Sequence, residues 1–320
     1  MSKFFQALER AEQEGTLRRQ HGLQDAVSND RPSPPISPSL VSPPRRSPRI
    51  GSGLGATTLE SLVSSPETIE GHLVSLLAPQ TFEAEQYRML SYLVEQLHAD
   101  AGLSVLAVSS PTVGDGKTTT AINLACALTQ LPGARVLLVD LDIRRPCVSA
   151  NLGIKGGNTR GLVDFVKDPN LGLEAVLRAY PSSKLTLLFA GKIPPTPYDI
   201  LQSSRLEELI EEARQSYDYV VLDTPPLIPF PDCRLIERFV DGFLVVIGAH
   251  KTPRRLVTEA ISIIDPEKVI GAVFNSDDHP AFGDYSYYTY GTYHPGKEQS
   301  GAFGGLMKNL TTLFRRTPKV

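Results

Sequence analysis

Two carboxylates, Asp140 and Asp142, stand two residues apart at the end of the apolar run Val136–Val139, and a third, Asp223, closes the run Tyr219–Leu222. Upstream of all three, Gly114 and Gly116 flank Asp115 and lead directly into Lys117, Thr118 and Thr119. Glycines admit close backbone approach, and successive N–H groups opening a helix favour anionic oxygens. An ammonium such as Lys117 reaches β- and γ-phosphate oxygens, while the Thr118 hydroxyl is placed for Mg2+. Alternate residues of a strand share a face, so Asp140 and Asp142 emerge together where they can hold Mg2+ through water and accept a proton from an incoming hydroxyl. An acid after an apolar strand, as at Asp223, is the usual second carboxylate on the metal side of such a site. The chemistry implied is ATP binding and phosphoryl transfer. The plain alternative is a strand-to-helix turn, with an acidic strand end paired to Arg144 or Arg145. Pro111 stands where this loop normally has a small residue and removes one N–H at the loop entrance.

The elements that must carry these residues follow from periodicity. Short apolar runs at Leu103–Val108, Arg135–Val139, Leu185–Phe189, Tyr219–Leu222, Phe243–Ile247 and Val269–Phe274 predict strands. Helical spacing predicts helices over Glu83–Leu97, Thr118–Gln130, Ile200–Gln215 and Pro253–Ile264. Strands alternating with helices imply an α/β fold of the P-loop NTPase kind, a mostly parallel sheet with helices on both faces and ligands beyond the strands' carboxyl ends.

Composition bounds the rest. A chain of 320 residues with 41% hydrophobic residues and net charge −3 has no basic excess calling for nucleic acid. Cys126, Cys147 and Cys233 lack the close pairing of zinc ligands and suit a reducing compartment. No apolar run approaches the roughly 20 residues of a membrane span, and no signal-peptide pattern opens the chain, so a cytoplasmic protein is expected. Residues 1–20 read as an amphipathic helix, 21–75 as a Pro/Ser-rich disordered linker and 76–280 as the P-loop domain. Residues 281–295 form a tyrosine-rich tail and 296–320 a basic amphipathic helix. In the tail, Tyr285, Tyr287, Tyr288, Tyr290 and Tyr293 alternate largely with Ser and Thr, which suits either a strand with an aromatic face or a set of acceptor hydroxyls. In the last segment, Phe303, Leu306, Leu310 and Phe314 share a face beside Lys308, Arg315 and Arg316. That pattern fits peripheral contact with an anionic membrane or packing on a protein.

The segments Gly114–Thr118, Asp140–Pro146, Ala190–Pro197, Asp223–Pro226 and Gly271–Asn275 together resemble the bacterial tyrosine kinases of capsule and exopolysaccharide synthesis, within the deviant Walker P-loop ATPases. The related partition and cell-division ATPases carry a signature lysine where this chain has Thr112. The resemblance implies transfer of the γ-phosphoryl of MgATP to tyrosine, with the tail tyrosines as phosphoacceptors. It implies a metal and proton-accepting role for Asp140, a metal environment completed by Asp142 and Asp223, and Asn275 near the adenine. It also implies a separate transmembrane chain-length or co-polymerase protein as activator, a place at the inner face of the cell membrane, and self-association into rings. For that assembly the family uses a Glu-x-x-Arg-x-x-Arg helix, and this chain has Glu85, Arg88 and then Ser91, whose hydroxyl cannot reproduce bidentate guanidinium contacts. Two other functions fit the same residues: a P-loop ATPase switch that is not a kinase, and a nucleotide-binding scaffold on a membrane polysaccharide assembly.

Overall fold

The computed structural model describes residues 57–58, 69–154, 160–181 and 183–276. The first helix, most of the linker, the tyrosine-rich tail and the basic C-terminal helix expected from the sequence lie outside these residues.

In chain order the elements are β1 Thr57–Thr58, α1 Val74–Leu77, α2 Phe82–Ala101, β2 Val105–Ser109, α3 Lys117–Leu128, β3 Val136–Asp140, α4 Val148–Asn151, α5 Leu162–Lys167, β4 Arg178–Ala179, β5 Leu185–Leu188, α6 Pro197–Gln202, α7 Ser204–Ser216, β6 Tyr219–Asp223, α8 Asp232–Ile236, β7 Gly242–Gly248, α9 Arg254–Ile261 and β8 Val269–Asn275. They build one sheet in the order β1-β4-β5-β3-β6-β2-β7-β8. Every pairing is parallel except β4 with β5. β2, β3, β6 and β7 are buried along their whole length, as strands covered on both faces must be. Two apolar layers do the covering. One centres on Leu137, Val139, Leu209 and Phe243, the other on Leu106, Ile122, Leu138 and Val246. Fully burying one such side chain contributes roughly 1.5–3 kcal/mol.

Local chemistry sets the helix ends. Thr81 caps α2 by accepting from the Ala84 N–H at 3.3 Å, and Gly102, in the left-handed region at φ 71°, ends it. The single helix expected over Ile200–Gln215 is two helices. Ser203 leaves helical geometry at ψ 134°, and its hydroxyl accepts from the Arg205 N–H at 3.2 Å, starting a new helix with a fresh cap. Within the span assigned to a linker, Thr57 and Thr58 pair with Arg178 and Ala179, and the Ser75 N–H donates to Asn123 Oδ1 at 2.8 Å. Ser91 faces the interior, fully buried, and its hydroxyl donates to the Arg88 carbonyl at 2.7 Å, while Arg88 pairs with Glu85 on the same helix.

What this sheet does for the chemistry is set by register. Asp140 of β3 is the direct partner of Asp223 of β6, and Val108 of β2 partners Asp223 from the other side. The strand that feeds the glycine loop and the two strands that end in carboxylates are therefore adjacent, with their carboxyl ends together.

Candidate active site

Six carbonyls of the loop from Ser110 to Gly116 accept hydrogen bonds. Ser110 O accepts from Leu227 N (2.8 Å), Pro111 O from Ile228 N (3.2 Å) and Thr112 O from the Ser110 hydroxyl (2.7 Å). Gly114 O accepts from Lys251 Nζ (2.7 Å), Asp115 O from Asn275 Nδ2 (3.0 Å) and Gly116 O from Thr120 N (2.9 Å). Among the described residues, the N–H groups of residues 114–118 have no such acceptor, which leaves a row of donors at the start of α3 for an anion. Gly114 and Gly116 hold φ values of 84° and 97°. A Cβ at Gly116 would lie 1.9 Å from Asn275 Nδ2, so only glycine fits there. Pro111 is buried ahead of this row, and the N–H it lacks is not one of the free donors.

Lys117, buried at 9% exposure, places Nζ 2.8 Å from Asp142 Oδ2 and 3.5 Å from Asp223 Oδ1. The Thr118 hydroxyl donates to Asp223 Oδ2 at 2.7 Å. Asp140 accepts from the Val148 N–H at 3.1 Å through Oδ2, and its Oδ1 is buried without a partner. Asp142 Oδ1 accepts from the Arg145 backbone N–H at 3.1 Å. Three buried carboxylates thus face one ammonium. Burial, and then the charge of Asp223, push the Asp140 carboxyl well above the usual carboxylate range. Burial also raises Asp223 to about 6 against the pull of Lys117 and Thr118. For Lys117, burial favours the neutral amine, but Asp223 and Asp142 more than offset it and hold the ammonium above its ordinary value. A surplus of buried negative charge, an orphaned carboxylate oxygen and a neighbouring hydroxyl form a hard, oxygen-only donor set whose chemistry suits Mg2+, although no three carboxylates among the described residues already stand as a metal cluster.

The expected residues of the glycine loop and the three acids therefore lie together, with refinements at Asp115, Asn275 and Thr119, while the five tail tyrosines lie outside the described residues. Asp115 turns its side chain away from the row of free N–H groups and into the loop: Oδ2 accepts from Thr112 N and Oγ1 at 2.8 and 3.0 Å, and Oδ1 from Thr252 Oγ1 at 2.6 Å. Asn275 lies against the loop backbone at Asp115. Thr119 is half-buried, with its carbonyl held by Asn123 Nδ2 at 3.0 Å.

Sequence reasoning missed Asp232, Lys251 and Thr252. Asp232 is fully buried and receives Arg144 through Nε at 2.5 Å and Nη2 at 2.9 Å, while the guanidinium lies 4.2 Å from the Phe230 ring centre. Arg144 thus makes its direct ion pair with Asp232 and feels Asp142 only as a neighbouring charge, and it pins the loop that follows the two acids. An acid directly after Pro231 opens a helix, a signal too common to single Asp232 out.

The AAA domain family matches residues 103–230. Over 222 residues the chain is 31% identical to tyrosine-protein kinase YwqD of Bacillus subtilis (strain 168), spanning 69% of this chain and 92% of that protein. It is 32% identical over 214 residues to the succinoglycan biosynthesis transport protein ExoP of Rhizobium meliloti (strain 1021), spanning 65% of this chain and 27% of that protein. Among solved structures it is similar to the BceF tyrosine kinase domain, with 28% identity, a TM-score of 0.57, and coverage of 63% of this chain and 81% of that one.

Proposed function

Since the chain belongs to the bacterial tyrosine-protein kinases, we propose that its cluster at the end of β2, β3 and β6 transfers the γ-phosphoryl group of ATP to tyrosines of its own tail, in the service of capsular or exopolysaccharide synthesis. The observation that carries this assignment is the convergence of Lys117, Thr118, Asp140, Asp142 and Asp223 beside a row of unpartnered N–H groups.

The residues divide the work by chemistry. Backbone N–H groups of Gly114, Asp115, Gly116, Lys117, Thr118 and Thr119 bind the phosphates, and Lys117 stabilises charge on the transferred group. Thr118, Asp140, Asp142 and Asp223 are the residues to hold Mg2+, which when bound supplies positive charge on the phosphate oxygens. The tyrosine oxygen forms a bond to the γ-phosphorus as the bond to the β,γ-bridging oxygen breaks and ADP departs. The phenolic proton passes to Asp140, whose burial makes it a better proton acceptor than an exposed carboxylate. Asn275, through its bond to the loop backbone, borders the nucleotide. Tyr285, Tyr287, Tyr288, Tyr290 and Tyr293 are the acceptors.

Among the described residues no helix is long and apolar enough to cross a membrane. A separate transmembrane chain-length protein is proposed as activator, with the basic segment 296–320 contacting an anionic inner leaflet. Liposome co-sedimentation tests that contact, which should vanish on Leu310→Glu. For the activity, purified protein is incubated with γ-labelled ATP and Mg2+, with and without the cytoplasmic piece of a candidate activator. Label on tyrosine supports the kinase. Release of labelled phosphate without protein label would replace it with an ATPase switch, and nucleotide binding with neither would leave a scaffold.

A further inference from the structure

We propose that Lys251 and Thr252, in the turn after β7, are positioning residues for the nucleotide, holding the peptides of the glycine loop so that their N–H groups face the phosphates. The inference rests on the ATP-binding reading above and adds to it a second layer drawn from a distant part of the chain.

In a trans peptide the carbonyl and the following N–H point in opposite directions. Lys251 Nζ on Gly114 O, at 2.7 Å, therefore aims the Asp115 N–H to the other side of the loop. Asn275 Nδ2 on Asp115 O, at 3.0 Å, does the same for Gly116 N–H. An ammonium on a carbonyl oxygen also polarises that amide and makes its N–H a stronger donor. Thr252 acts one layer further out. Its hydroxyl donates to Asp115 Oδ1 at 2.6 Å while Thr112 N and Oγ1 donate to Oδ2, so one buried carboxylate ties both sides of the loop to the turn.

The turn is built for this contact. Lys251 N and Thr252 N both donate to Gly248 O, at 3.2 and 3.0 Å, and His250 sits at φ 57°, a conformation that side-chain-bearing residues rarely adopt. A Cβ at Gly248 would lie 3.0 Å from Asp115 Oδ1 and 3.2 Å from Thr252 Oγ1, so a side chain there would press on both partners of the turn-to-loop hydrogen bond. Ala249 N donates to Asn275 O at 2.8 Å, which joins the end of β8 to the same clamp.

The test is a fluorescent ATP-analogue titration of the full chain with Mg2+, run beside steady-state tyrosine labelling and a thermal melt. Lys251→Met and Thr252→Val should each weaken analogue binding and raise the KM for ATP by about three- to tenfold, with a smaller fall in kcat, as expected for the loss of one oriented hydrogen bond. Thr252→Ser should recover wild-type binding. The double variant should lose less than the product of the single losses, because both act on one loop. Wild-type affinity in both single variants, with unchanged KM, would overturn the clamp while leaving the kinase reading intact. A fall in kcat alone would also overturn it. If the wild-type chain binds no analogue, the ATP-binding reading fails and the clamp with it.

Discussion

Asp140 and Asp223 are direct register partners at the ends of adjacent parallel strands, and the Leu141 N–H donates to the Asp223 carbonyl at 2.8 Å to lock that register. Two carboxylates 83 positions apart in sequence are thereby fixed side by side in a buried site. The charge of Asp223 raises the proton affinity of Asp140, and a one-residue slip would turn one of them to the opposite face of the sheet.

Lys117→Met should reduce tyrosine labelling below detection, because it removes the cation from both the transferred phosphate and the acids at 2.8 and 3.5 Å. The fold should persist at a lower Tm, since buried carboxylates lose their counter-ion. Far-UV circular dichroism beside the labelling assay checks both, and retained labelling would reject the assigned site.

Asp140→Asn keeps the shape and the contact with Val148 N but removes charge and proton affinity. Analogue binding should survive while the transfer rate falls by about 10²–10⁴-fold. Unchanged turnover would move the base role elsewhere, with Asp142 the first candidate.

The nucleotide-free protein should show a pH signature from Asp223, whose folded carboxyl is raised from 3.8 to about 6. A folded-state value above the unfolded one favours the folded state while the group is protonated. The contribution is full below about pH 4 and is lost as pH rises through about 6, on the order of 3 kcal/mol for a shift of this size. Buried Asp140 acts in the same direction. Melts from pH 4 to 8 should give Asp223→Asn a growing stability advantage over wild type as pH rises. Mg2+ should raise the wild-type Tm more at pH 8 than at pH 5, since protons compete for the same oxygens. A pH-independent difference between the two proteins would contradict the shift.

Arg144→Met leaves the fully buried Asp232 carboxylate without its bidentate partner. Urea unfolding should show a loss of about 3 kcal/mol, and adding Asp232→Leu should restore part of it. If Arg144→Met costs nothing, the pair does not hold the loop after the two acids.

Replacing Tyr285, Tyr287, Tyr288, Tyr290 and Tyr293 by Phe should remove most phosphotyrosine without weakening analogue binding. Intact-mass spectrometry after incubation with ATP decides the point, and undiminished phosphate would place the acceptors elsewhere.

The sequence by itself determined what depends on neighbours along the chain. Apolar runs five residues long read as buried strands because β2, β3 and β6 bury every position. The glycine loop, Lys117 and Thr118 read as a phosphate site because their chemistry is complete within a few residues. The caps at Thr81 and Gly102 are local too, and so was the break at Ser203, although a run of apolar periodicity hid it. Only the tertiary structure decided who pairs with whom across the fold. It seats β6 between β2 and β3, which brings Asp223 to Asp140 and to Thr118. It assigns Arg144 to Asp232, 88 positions away, in preference to the acids beside it. It carries Lys251 and Thr252 across 137 positions to the glycine loop. Such contacts follow from strand order and register, which are set by the joint burial of all strands and leave no mark in any short stretch of sequence.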